Sequence, residues 1–303
     1  MRRIKLELCY DGADYSGWQI QPKQPQVKTI QGELQRAIAR VVGAEVEVLG
    51  SGRTDAGVHA LCQVAAFNAE TALPTNTLVK AINAFLPPSI RVWRAFDVPL
   101  DFHPIRDVVR KRYRYLMSDS RPAYPFLRRN AWTILQRLDL NVMREAAKFL
   151  LGTHDFAAFQ TQGSPRKTTV RTVYDVSIVG APLDACFAFP KLAEYETRLE
   201  DVRTGVPEQP ALIAFEIEAD GFLYNMVRAI VGTLKLFGER HNGFEDPETM
   251  RAIVERADRR LAGPTAPAHG LYMIDVVYPE DARARGLGVD ERSPEDLTQQ
   301  GRA

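Results

Sequence analysis

The sequence predicts an α+β fold in which one succession of elements, β-α-β-β-α-β, runs twice along the chain. Three observations lead there. Short runs alternate apolar and polar residues, the period of a half-buried strand. Longer runs repeat apolar residues every three or four positions, the period of a helix packed on one face. Glycine, proline and aspartate punctuate the joints. At 303 residues, 45% hydrophobic and 25% charged, the chain can bury one large core or two modest ones.

The elements follow in order. Ile4, Leu6, Leu8 and Tyr10 alternate with Lys5, Glu7 and Cys9, which predicts the first strand. Residues 11–18 form a polar loop. Ile30, Leu34, Ile38 and Val41 fall at helical spacing with Thr29 placed as N-cap. Val46 to Leu49 and Cys62 to Phe67 read as strands on either side of a glycine-rich loop. A second helix puts Leu78, Ile82 and Phe85 on one face and stops before Pro87-Pro88. Ile90 to Phe96 closes the first set. In the second set Lys111 to Met117 is a strand, and Leu140, Met143, Ala147 and Leu150 mark a helix. Val170 to Val179 and Ala211 to Ala219 are strands. Phe222, Met226, Ile230, Leu234 and Phe237 mark another helix. An extra helix opens at Asp246-Pro247, and Leu271 to Tyr278 is the last strand.

This order is the split βαβ, or ferredoxin-like, arrangement with mainly antiparallel sheets. The repeat is one of element order, not of residue identity. We expect an N-terminal α+β domain over 1–105 and a C-terminal α+β domain over 106–279. The latter carries an inserted loop near 180–210, polar and rich in proline, glycine and mixed charge. Residues 280–303 are charged and poor in apolar residues, and read as a flexible tail.

Composition removes several function classes. Net charge is +1, so nucleic-acid binding would have to rest on local clusters. Cys9, Cys62 and Cys186 are scattered without a CxxC pair, which argues against a disulfide framework and for reduced thiols in a cytoplasmic protein. The N-terminus alternates like a strand rather than a signal peptide, and no apolar run is long enough to span a membrane. The five histidines show no HxxxH or HExxH spacing, so no metal site is expected. The Gly50-Ser51-Gly52 run is not a dinucleotide loop. Asp55 stands where GxGxxG has its third glycine, and a strand follows instead of a helix. No Walker-type lysine loop occurs.

The loop from Gly50 to Ala60, GSGRTDAGVHA, can carry chemistry all the same. Asp55 is a carboxylate able to act as nucleophile or general base. Arg53, two residues away, favours its ionised form. Gly50, Gly52 and Gly57 permit tight turns and close approach of a flat substrate. The plain alternative is an Asx turn capped by Asp55. A second cluster, Arg110-Lys111-Arg112-Tyr113-Arg114-Tyr115, puts tyrosines on one strand face and arginines on the other. That suits base stacking and phosphate contact, or else an edge strand with core tyrosines. His103, Arg106, Arg166, Lys167 and Arg171 add local positive charge. Arg228 sits on a strongly apolar helix and needs a carboxylate or phosphate partner, unless it snorkels to the surface.

Together these motifs resemble the tRNA pseudouridine synthase A (TruA) family. Tyr10-Asp11-Gly12, Gly17-Trp18-Gln19, Gly52 to His59, Asn83 to Pro87, Asp101-Phe102-His103, Arg112 to Tyr115, Asn225 to Gly232 and Thr265 to Tyr272 match its blocks in order, over about residues 4 to 279. The resemblance implies two similar α+β halves meeting at a central basic cleft, in a homodimer that binds the anticodon arm of tRNA. It implies conversion of uridine to pseudouridine at positions 38, 39 or 40 of the anticodon stem-loop, without cofactor. By similarity Asp55 is the nucleophile, attacking C6 of uracil or C1′ of ribose. Tyr113 stacks on the extruded base and assists loss of the C5 proton. Arg228 pairs with Asp55, Arg53 lies on the RNA side, and Leu271 belongs to the substrate-binding set. The extrusion costs a few kcal/mol. Two departures stand out. Pro104-Ile105 separate His103 from Arg106 where many relatives have Ala-Arg, and the 180–210 stretch is longer than in compact bacterial relatives. An RNA-binding or chaperone protein without catalysis, or a synthase acting on other RNA uridines, are the alternative readings.

Overall fold

A computed structural model describes residues 1–119, 123, 125–161, 168–181 and 212–280. The expected inserted loop and tail fall almost wholly outside the described residues, as do Arg166, Lys167 and Cys186. The chain is mixed α+β and mostly antiparallel, and it divides into two compact units. The first comprises Met1–Asp55, Ala60–Lys111 and the chain from Asp275 onward. The second comprises Ala56–His59 and Arg112–Ile274.

In the first unit the order is β1 (Arg2–Tyr10), α1 (Ile30–Val42), β2 (Leu49–Gly50), β3 (His59–Ala69), α2 (Thr75–Phe85) and β4 (Ile90–Val98). Only His59 of β3 lies outside this unit. β1 is central, antiparallel to β3 on one edge and to β4 on the other, and β2 adds antiparallel to β3. The alternation of β1 has its expected consequence: Ile4, Leu6 and Leu8 are 0% exposed. Ile30, Leu34 and Ile38 of α1 are equally buried, and each such side chain contributes about 1.5–3 kcal/mol relative to exposure. Thr29 caps α1 by accepting from the Gly32 N–H at 3.2 Å, and Gly43 ends it in the left-handed region at φ 75.

Two expectations need correction here. The strand expected over Val46 to Leu49 shrinks to Leu49–Gly50. Glutamines of α1 take up the Val48 backbone instead: its N–H donates to Gln35 Oε1 at 3.2 Å and its carbonyl accepts from Gln31 Nε2 at 2.7 Å. Phe85 does not join Leu78 and Ile82 in the core. It is 48% exposed, and the Arg40 guanidinium lies 5.5 Å from its ring.

In the second unit the elements are β5 (Arg110–Ser118, its first two residues belonging to the first unit), β6 (Trp132–Thr133), α3 (Leu140–Lys148), β7 (Gly152–Asp155), β8 (Val170–Ala181), β9 (Leu212–Ala219), α4 (Met226–Gly238), α5 (Glu248–Arg256) and β10 (Leu271–Val277, its last three residues belonging to the first unit). Strand order is β10-β5-β9-β8-β7, with β6 parallel to β5. Asp139 caps α3 by accepting from the Asn141 and Val142 N–H groups. α3 packs on α4 and β8. Asp246 accepts from the Glu248 N–H at 3.0 Å as Pro247 leads into α5.

The second unit departs from the element order expected of it. β6 has two residues, and β7, Gly-Thr-His-Asp, buries no side chain fully. Neither offers an alternating apolar pattern, so neither was expected. The helix marked from Phe222 begins at Met226, because Asn225 adopts φ 60 and starts the first turn. Gly232 of α4 is there for proximity. A Cβ on it would lie 1.7 Å from the Pro264 carbonyl oxygen, so the 263–266 segment can cross the helix only over a glycine.

Candidate active site

The loop that follows β2 is held from beneath by polar side chains of the first unit. Ser51 is 0% exposed and Thr54 6%, while Arg53 is exposed and Asp55 half-buried. The Ser51 hydroxyl donates to Gln63 Oε1 at 2.6 Å, and Gln63 Nε2 donates to the Gly52 carbonyl at 2.9 Å. Tyr10 Oη and Thr54 Oγ1 share a hydrogen bond of 2.8 Å. The Trp18 N–H donates to the Thr54 carbonyl at 2.9 Å, and Lys111 Nζ donates to the Ser51 carbonyl at 2.6 Å. Gly50 leaves room for the Trp18 indole, which a Cβ would meet at 2.5 Å. Burial pushes the Tyr10 phenol up to about 12, against the smaller opposing effect of its hydrogen bonds with Thr54 and Gln63. Tyr10 is therefore neutral at working pH and is a structural hydrogen-bond partner rather than an acid or base.

The remainder of the signature run belongs to the second unit. Gly57 has φ 80, the left-handed turn that favours glycine. The His59 ring stacks on Tyr272 at 4.7 Å, and its Nε2 lies 3.0 Å from the Arg129 carbonyl and 3.1 Å from that of His269. Those carbonyls accept, so Nε2 carries the proton. His59 is thereby a buried tether of the loop's far end.

Tyr113, Arg228 and Leu271 also lie in the second unit. Tyr113, on β5, is 8% exposed and meets the ring of Phe222 edge-on at 4.9 Å. Arg228, on α4, donates from Nε to the Ala266 carbonyl at 2.7 Å and from Nη1 to Asn225 Oδ1 at 2.8 Å. Leu271 begins β10 and is 7% exposed. The segment between Ala266 and Leu271 joins these parts, for the Tyr115 hydroxyl donates to the Pro267 carbonyl at 2.7 Å. Burial pushes the Tyr115 phenol up, and the Arg228 charge opposes that only weakly. Burial holds the His269 imidazole low, with Arg228 and His59 adding to the effect. Arg53 and Asp55 thus share one unit, and Tyr113, Arg228 and Leu271 the other.

Arg112 and Arg114 of β5, read from the sequence as suited to phosphate contact, are engaged by carboxylates. Arg112 reaches Asp175 at 2.7 Å, Glu216 at 3.2 Å and Glu218 at 3.2 Å, and Arg114 reaches Glu216 at 2.7 Å. Arg114 is 1% exposed. Burial would lower the Arg112 pKa, but Glu218, Asp175 and Glu216 outweigh it and hold the guanidinium charged. These cations are spent on the carboxylates of β8 and β9.

Sequence reasoning missed Gln63. Leu8 faces Gln63 and Leu6 faces Ala65 across the β1–β3 ladder, so Gln63 occupies an inward position among apolar neighbours and is 0% exposed. A polar amide interrupting the inward set Ala65, Phe67 and Ala69 was the available signal. Among the described residues, no group of three or more His, Cys, Asp or Glu could hold a metal ion, and no helix is long and apolar enough to cross a membrane.

Comparison with known proteins places these features. A family model described as tRNA pseudouridine synthase matches residues 9–105 and 146–279. A tRNA pseudouridine synthase A of Thermoanaerobacter sp. (strain X514) is 40% identical, covering 92% of this chain and 100% of the relative. One from Acetivibrio thermocellus is 39% identical over the same shares, and one from Myxococcus xanthus is 36% identical over 98% of this chain and 99% of its own. A solved H/ACA RNP bound to a substrate RNA containing 2′-deoxyuridine aligns at TM-score 0.27 and 11% identity, over 76% of this chain and 52% of that one; a likeness that loose carries no argument. Identity of this extent, spanning both units and the GRTDAGVH loop, shows that the chain belongs to the tRNA pseudouridine synthase A family.

Proposed function

We propose that this chain isomerises uridine to pseudouridine at positions 38, 39 or 40 of the tRNA anticodon stem-loop, with Asp55 as nucleophile and no cofactor. The observation that carries the reading is the Gly52–His59 run, whose one carboxylate follows directly on a residue tied down by Tyr10 and Trp18. An ionised aspartate can attack C6 of uracil or C1′ of ribose and later depart. The N1–C1′ bond breaks, the base turns, C5 bonds to C1′ as the aspartate departs, the C5 proton is lost, and N1 takes up a proton, so that the product is an isomer of the substrate. No electrons are exchanged with a carrier, so no redox group is required.

The remaining roles belong to the same reading. Tyr113 stacks on the extruded uracil and assists removal of the C5 proton. Arg228 supplies positive charge for the carboxylate, Arg53 keeps the target nucleotide out of its stack, and Leu271 packs on the substrate. We place two ferredoxin-like halves, divided near 105/106 and ending near 279, about a basic cleft in a cytoplasmic homodimer. Support comes from family membership and from the half-buried placement of Asp55 beside an exposed Arg53.

The test is release of tritium from C5-labelled uridine in a tRNA transcript, with pseudouridine mapped at each position. The wild-type chain is expected to release it, and Asp55→Ala to release none above background while still binding tRNA. Undiminished release by Asp55→Ala would remove the nucleophile assignment. Binding without release by the wild type would make the chain an RNA-binding protein instead.

A further inference from the structure

We infer that Gln63, a β3 residue with no place in the chemistry above, is the positioning residue that sets the path of the backbone leading to Asp55. The inference rests on the proposed function. Its basis is that one buried carboxamide uses its hydrogen-bonding capacity on both sides of the loop's entry. Gln63 Oε1 accepts from the Ser51 hydroxyl at 2.6 Å and from the Val64 N–H at 3.2 Å. Gln63 Nε2 donates to the Gly52 carbonyl at 2.9 Å and towards Tyr10 Oη at 3.5 Å. A primary amide has two donor hydrogens and one acceptor oxygen with two lone pairs, so all of it is committed. The orientation is fixed as well, since a flipped amide would set its oxygen against the Gly52 carbonyl.

The network continues beyond Gln63. Tyr10 Oη accepts from Gln63 and shares a hydrogen bond of 2.8 Å with Thr54 Oγ1. Thr54 is the residue before Asp55, and its carbonyl is held by the Trp18 N–H. From Ser51 to Thr54 the backbone is therefore anchored at Ser51, Gly52 and Thr54, leaving Arg53 between anchors to face outward. Gln63 touches two of those anchors directly and the third through Tyr10. It lies on a paired strand, and a rigid element suits the support of a reacting group better than a loop does. A displacement of about 1 Å at a reacting group can cost on the order of 100-fold in rate.

The experiment compares Gln63→Glu, nearly isosteric but without donors at Nε2, with Tyr10→Phe, which keeps the ring and removes the hydroxyl. Single-turnover tritium release at saturating tRNA, tRNA affinity by filter binding and thermal midpoint are read for each, with wild type and Asp55→Ala alongside. The expected result for Gln63→Glu is a rate lowered about 100-fold, with affinity within about threefold and a cooperative unfolding transition retained. Tyr10→Phe is expected to lose about tenfold in rate, consistent with one net hydrogen bond, again without a matching loss of affinity. If Gln63→Glu does not fold, Tyr10→Phe and Ser51→Ala carry the test by the same split between rate and affinity. A folded Gln63→Glu with near-wild-type rate, or a rate loss matched by a loss of affinity, overturns the inference while Asp55 stands. An inert wild type, or an active Asp55→Ala, overturns the proposed function itself.

Discussion

Tyr10 shows how much one buried hydroxyl can determine. The residue is 4% exposed, and burial raises its pKa from 10.0 to about 12. The folded state therefore keeps its proton over a range where the unfolded chain loses it. Between pH 10 and 12 the unfolded state binds fewer protons, so stability falls as pH rises. Below pH 10 the contribution is complete; above 12 it is gone. At about 1.4 kcal/mol per unit, the loss is on the order of 2–3 kcal/mol. Urea unfolding between pH 9 and 12 is expected to show this decline, and Tyr10→Phe to flatten it while costing about 1 kcal/mol at neutral pH for the lost hydrogen bond. An equally steep decline in Tyr10→Phe would assign the effect to other groups. At this scale the sequence was half informative. Asp55 and Arg53 stood out because glycines surround them, whereas Tyr10 and Gln63 sit in strand patterns that disclose burial but not hydrogen-bond partners.

At the scale of elements, local signals worked where chemistry acts within a few residues. Thr29 at the start of α1, Pro87-Pro88 after α2 and Asp246-Pro247 before α5 punctuate the chain whatever lies around them. They failed where a distant partner decides. Val46 to Val48 resemble a strand until the glutamines of α1 capture the Val48 backbone. β7 exists because β8 pairs with it, from Gly152↔Val173 to Asp155↔Val170. The arginines of β5 looked available until the glutamates of β9 met them. That ladder has a measurable consequence. Glu216 is 2% exposed and serves both Arg112 and Arg114. Breaking a buried ion pair from one side costs about 3–5 kcal/mol, so Glu216→Ala should lower stability by that amount in urea titrations. Asp175, with its side chain 49% exposed, should cost less than about 1 kcal/mol when replaced. Equal losses at the two positions would contradict a buried ladder graded by solvent access.

For the whole molecule, a net charge of +1 gives a polyanion no long-range attraction, and the distribution of cations has to do the selecting. The structure sorts part of them. Arg112 and Arg114 are held by carboxylates within their own unit, whereas Arg53 is exposed beside Asp55. The sequence places all three in motifs and cannot tell which are committed, because their partners are up to 106 positions away. The two classes should separate in the salt dependence of tRNA binding. Each phosphate neutralised contributes about −0.7 to −0.9 to the slope of log affinity against log salt. Arg53→Gln is expected to make that slope shallower by about one such increment, with no change in thermal midpoint, since an exposed side chain contributes little to folding. Arg112→Gln should do the reverse, lowering the midpoint while leaving the slope as it was. A salt slope that shifts with Arg112 and ignores Arg53 would mean that the β5 ladder opens to the RNA, and that the cations counted as structural serve the substrate after all.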